Sequence, residues 1–178
     1  RQTDTITDSP TQYRARGDRD LCEFRTNVRA GGCIAPAADV ERVIEHAPNA
    51  TWRLLIALSR FAGLRVPSEA LSLRWQDVDW ERGRLTVPSP KTEHLAGRSY
   101  RVIPLFPELR PFLDAARGDS PDETGYVIPE EYRRRAQGPH GWANANLRTT
   151  LTKVVIRAGL ETWPRLWHSM RASCETDL

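Results

Sequence analysis

Lysine is nearly absent from this chain: of 26 cationic residues only Lys91 and Lys153 are lysines, and the rest are arginines. Cysteine is scarce too. Cys22, Cys33 and Cys174 are odd in number and scattered, which excludes a disulfide framework, and with His46 they match no zinc-finger spacing. They read as free thiols of a chain held in a reducing, cytoplasmic compartment. Long apolar runs are also missing. The longest aliphatic stretch, Leu54 to Leu58, is far too short to cross a bilayer, and no apolar segment near the N-terminus resembles a signal peptide. These absences argue against membrane and secretory readings.

What remains is 178 residues, 39% of them hydrophobic, with a formal net charge of +3. That suits one domain, and its size suffices to bury a core without metal or disulfide staples. Arginine favours planar, bidentate phosphate contacts, so the bias fits a nucleic-acid partner, although a GC-rich genome produces the same bias. The positive charge is concentrated late in the chain. Residues 130 to 171 hold eight cations against three anions.

Residues 1–35 mix polar and charged types without sustained periodicity and read as a linker or poorly ordered arm. Their Arg16-Gly17-Asp18 triplet is short enough to recur by chance. From Pro36 onward periodicity sets in. Val40, Val43, Ile44 and Ala47 predict a helix over 39–47, stopped by Pro48 and Asn49. A second helix over 51–62 is apolar around most of its circumference, hence central, and ends at Gly63. Pro67 predicts a short third helix carrying Leu71 and Leu73. The period then changes to two: 84–88 and 100–105 alternate as the strands of a long-looped hairpin. Pro107 opens a predicted helix to residue 116, and Tyr126 to Ile128 suggest another strand. A helix over 146–158, capped by Asn144 or Asn146, stops at Gly159, and a last helix begins beyond Pro164. The predicted class is α+β, mostly helical, with a small antiparallel sheet.

Taken singly, the polar residues have plain explanations: Arg65 follows a helix stop, and Glu69 suits the positive end of a following helix. Asp77 and Asp79 resemble a metal pair but belong with the turn before the hairpin. Their order along the chain is more informative. Gly63-Leu64-Arg65 precedes Glu69-x-Leu71-x-Leu73-Arg74-Trp75; Ser89-Pro90-Lys91-Thr92 lies in the hairpin loop; His168 and Arg171 come last, three apart and so on one helical face.

In these boxes the sequence resembles the catalytic domain of the tyrosine recombinases, or phage integrases, from about Ala38 to the end. The resemblance implies metal- and cofactor-free DNA cleavage, in which a tyrosine attacks a backbone phosphate and leaves a 3′-phosphotyrosine link and a free 5′-hydroxyl. By this resemblance Arg65 and Arg171 clamp the phosphate, Lys91 is the general acid for the leaving oxygen, and His168 helps manage the nucleophile's proton. Glu69 buttresses the first arginine. Double-stranded DNA and other recombinase protomers are the implied partners.

Three departures from the family pattern stand out. Three residues, Val66-Pro67-Ser68, separate Arg65 from Glu69 where two are usual, and Ala172 follows Arg171 where a histidine is common. Tyr13, Tyr100, Tyr126 and Tyr132 all precede the His168–Arg171 pair, whereas the family's nucleophile follows it. The expectation is therefore a recombinase domain over 36–178, incomplete at its C-terminus, lacking the nucleophile and inactive alone. The N-terminal helical domain of the family has no counterpart in residues 1–35. Two other readings stay open: a non-catalytic DNA-binding remnant that occupies sites or pairs with intact recombinase, and a general helical DNA-binding module.

Overall fold

The computed structural model describes residues 35–88, 100–119, 125–136 and 147–177. The predicted arm over 1–35 lies almost wholly outside them, as do Lys91 and the proposed caps Asn144 and Asn146. Among the described residues, six α-helices surround one apolar core, and a three-stranded antiparallel sheet lies beside them. The helices are α1 (Ala37–Glu45), α2 (Ala50–Phe61), α3 (Arg110–Asp119), α4 (Glu130–Ala136), α5 (Leu147–Arg157) and α6 (Leu166–Asp177). The sheet runs β1 (Val78–Asp79), β2 (Arg84–Pro88), β3 (Tyr100–Pro104), in that spatial order.

Helix α2 is central for the reason its composition suggests: every side chain from Leu54 to Arg60 is buried. The Asn49 side chain accepts the Trp52 N–H at 3.0 Å and so caps one of the helix's open donors. Helices α1, α3 and α6 pack against it. Trp52 of α2 stacks on Trp167 of α6, and Phe61 stacks on Phe112 of α3, each with ring centroids 6.2 Å apart. The first pair fixes the helix that carries His168 and Arg171 against the one that leads into Arg65, and the second fixes α3 against that same central helix.

Several predicted elements shift. Helix α1 starts and ends two residues earlier than predicted, because Pro36, lacking an N–H, sits just before the first turn and the His46 N–H turns back onto Arg42 and Ile44 carbonyls. The helix predicted over 107–116 begins only at Arg110; the Phe106 carbonyl takes the N–H groups of Leu109 and Arg110, and Pro111 occupies the first turn, where its missing donor is harmless. The third helix predicted from Pro67 does not form. A turn leads into a 3₁₀ segment, Ala70–Ser72, and the chain leaves helical geometry at Leu73. Leu73 is diverted because its carbonyl accepts the Val127 N–H at 3.0 Å while Trp75 donates to Gly125 at 2.9 Å. That exchange replaces the predicted strand at 126–128 by a single bridge, Arg74 to Tyr126. Helix α4 and strand β1 have no counterpart in the sequence reading.

The hairpin keeps its predicted place, with Leu85 paired to Ile103 and Pro88 to Tyr100. Gly159 stops α5 with φ +72°, a left-handed conformation natural to glycine, as its position suggests.

Candidate active site: arginines around a buried glutamate

The site begins where α2 ends. Gly63 adopts φ +61°, which turns the chain out of the helix. A side-chain carbon there would meet Cys174 Sγ at 3.5 Å, an ordinary contact, so it is the backbone angle rather than space that calls for glycine. The turn presents the Gly63 carbonyl to two arginines from distant parts of the chain. Arg171 Nε donates to it at 3.0 Å and Arg101 Nη2 at 3.1 Å.

Two residues on, Arg65 enters a tight turn that its own carbonyl closes by accepting the N–H groups of Glu69 and Ala70. The turn folds the Glu69 carboxylate back under Arg65. Glu69 is only 1% exposed, and its oxygens are fully engaged: Oε2 accepts the Arg65 backbone N–H at 2.9 Å and Arg101 Nη2 at 2.8 Å, and Oε1 accepts Arg65 Nη1. The three residues between Arg65 and Glu69 therefore do not part the pair.

Burial by itself would push the Glu69 carboxyl up. The hydrogen bond and charge of Arg101, the Arg65 backbone N–H and the Arg65 side chain outweigh it and hold the group below the ordinary value of 4.5. Glu69 is thus an anion near neutral pH. Arg65, Arg101 and Arg171 keep 36%, 32% and 23% of their side chains exposed, so one side of the cluster faces solvent. Three guanidiniums against two carboxylates, the buried Glu69 and the exposed Glu175, leave a net positive charge on that side, the condition for holding an anion. Arg171 also pairs with the exposed Glu175, Nη2 to Oε1 at 2.7 Å.

Of the residues singled out in the sequence, Arg65, Glu69 and Arg171 meet around the Gly63 turn. His168 stands exposed on α6, three residues before Arg171. Lys91 lies outside the described residues, in the connection between β2 and β3. Asp77 and Asp79 serve their own turns, accepting the backbone N–H groups of Arg74 and Arg82 at 2.9 Å each. Arg101 is the residue that sequence reasoning passed over. The period of two groups Arg101 with Ile103 but leaves open which face is inward; in the structure those two share the half-buried face of β3, while Tyr100 and Val102 face outward at 61% and 52% exposure. A charge on the inward face of a strand requires a buried counter-charge.

Residues 36–178 match the phage integrase family. The chain is 34% identical over 146 residues to the tyrosine recombinase XerA of Thermococcus kodakarensis, an alignment spanning 79% of this chain and 46% of that protein. It resembles the crystal structure of XerA recombinase with a TM-score of 0.61 at 16% identity, covering 85% of this chain and 51% of that one. A lambda integrase tetramer bound to a Holliday junction gives a TM-score of 0.53 at 17% identity, covering 88% and 47%. The chain thus spans about half the length of these relatives. Among the described residues no helix is long and apolar enough to cross a membrane. With a family match over most of its length and the fold of those recombinases, the chain belongs to the phage integrase family.

Proposed function

We propose that this domain binds duplex DNA and activates a backbone phosphate for strand breakage and rejoining in site-specific recombination, through a 3′-phosphotyrosine intermediate. The observation that carries the reading is the meeting of Arg65 and Arg171 at one turn, braced on Glu69 and the Gly63 carbonyl. Two guanidiniums so held suit the non-bridging oxygens of a phosphate, where charge gathers as the attacking tyrosine oxygen bonds to phosphorus and the 5′-oxygen departs. Lys91 supplies the proton to that leaving oxygen. His168, exposed beside Arg171, contacts phosphate and helps take the nucleophile's proton. Glu69 orients Arg65. The reaction so drawn needs no metal or cofactor.

No tyrosine follows Arg171 in these 178 residues, and the partners in this reading are duplex DNA and further recombinase protomers. The cytoplasm is where such a chain meets DNA. The test is duplex binding by the 178-residue chain: affinity should fall steeply with added salt and show little sequence preference. Arg65→Ala and Arg171→Ala, each checked for folding, should each weaken it. Salt-independent binding, or none at low salt, would overturn the reading.

A further inference from the structure

Arg101 carries none of the roles assigned above, yet it touches both supports of the site. Its Nη2 lies 2.8 Å from Glu69 Oε2 and 3.1 Å from the Gly63 carbonyl oxygen, the same oxygen on which Arg171 Nε rests at 3.0 Å. Arg65 holds the other carboxylate oxygen. A carboxylate as buried as Glu69 must have its charge compensated by cations within reach, because water cannot do it. Among the described residues those cations are Arg65 and Arg101. With Arg101 present, one guanidinium answers the charge of Glu69 and the charge of Arg65 is left for an incoming phosphate. With Arg101 neutral, Arg65 alone would balance Glu69 and its attraction for phosphate would be largely cancelled. The second bond, to Gly63, pins the carbonyl that sets the angle of Arg171.

We propose that Arg101 is a positioning residue of the phosphate clamp: it neutralises Glu69 so that Arg65 stays available to phosphate, and it fixes the Gly63 carbonyl beneath Arg171. The inference rests on the reading of Arg65 and Arg171 as that clamp. Its placement on β3, paired with Val87 in the sheet, gives the clamp a support that comes from outside both the Arg65 turn and α6.

The test measures binding of a short labelled duplex to the 178-residue chain at low salt, with thermal melting run alongside. Arg101→Met should weaken binding roughly tenfold, in the middle of the range for residues sharing a network, and Arg101→Lys, which keeps a cation near Glu69, should stay within about threefold of the natural chain. In a Glu69→Gln background the same Arg101→Met change should alter affinity by less than about threefold, because the charge it answers is gone. Losses that simply add would mean that Arg101 meets DNA directly, and the proposal would fall. A lysine that fails to restore binding would also defeat it. If Arg101→Met does not fold, the double variant, which holds neither the buried charge nor its partner, is compared with Glu69→Gln alone, and a clear loss there overturns the role. Arg65→Ala and Arg171→Ala separate the two ideas. If both fold and bind as the natural chain does, the clamp reading fails; if they weaken binding while a folded Arg101→Met does not, only the positioning role fails.

Discussion

Glu69 is a buried charge on which two arginines, Arg65 and Arg101, are held. Removing it by Glu69→Ala strands two guanidiniums, and because these are about one-third exposed the expected loss is about 2 to 3 kcal/mol, below the full figure for a buried pair, measurable by urea unfolding. The pH dependence follows from direction alone. Glu69 is held below its ordinary value in the folded chain, so the unfolded chain binds that proton more tightly. Its stabilisation is therefore complete above the ordinary glutamate range and is lost as pH falls through and below it. The stability gap between the natural chain and Glu69→Gln should narrow between about pH 6 and about pH 3, and a gap that widens on acidification would contradict the ion pairing described here.

The roles proposed for Arg65, Arg171 and Lys91 make separate demands at the same scale. In a chain extended to include a nucleophile, Arg65→Ala or Arg171→Ala should slow cleavage roughly a hundredfold or more, the scale for losing one charge-stabilising donor. Replacing Lys91 should matter less when the leaving oxygen is exchanged for sulfur, which departs without a proton. Equal loss with both substrates would remove Lys91 from the general-acid role.

At the scale of elements, the helix end at Gly63 and the central helix α2 differ in what they tolerate. Gly63→Ala meets no serious clash but must hold φ +61°, so it should destabilise by about 1 kcal/mol and disturb the carbonyl that Arg101 and Arg171 share. Leu55→Ala or Leu58→Ala in α2 should cost about 2 to 5 kcal/mol, since both side chains are fully buried and a cavity would remain. Val102→Thr on the outward face of β3 should stay within about 0.5 kcal/mol. Thermal or denaturant unfolding of the four variants checks the order. The helices with clear apolar stripes were legible in the sequence because their periodicity is a local property. The predicted helix after Pro67 was not, because the Leu73 backbone is claimed by Val127, a partner far along the chain.

For the whole molecule, the expectation concerns what the chain does alone. In the proposed roles, Arg65 and Arg171 supply charge and Lys91 a proton, and none of them supplies an attacking atom. The isolated 178 residues, incubated with a nicked suicide duplex and then denatured, should yield no protein carrying covalently attached DNA. An adduct mapping to Tyr100, Tyr126 or Tyr132 would mean that the nucleophile is drawn from within this domain, and the assignment of roles would have to change.

The helical class, the hairpin and the central place of α2 were legible in the sequence because they depend on periodicity and on glycine and proline within short windows, whereas Arg65, Glu69 and Arg171 stood out only through the resemblance to the tyrosine recombinases, which rests on boxes spread along the chain. The assembly was decided only in three dimensions. That Arg171 would rest on the Gly63 carbonyl, and that Arg101 would turn inward to a glutamate from another part of the chain, are contacts between residues far apart in sequence. A strand's alternation separates its two faces but does not say which one faces a buried charge. On β3 the half-buried face carries Arg101 beside Ile103 while Tyr100 and Val102 stay exposed, and an arginine can occupy that face because its charge meets the buried carboxylate of Glu69.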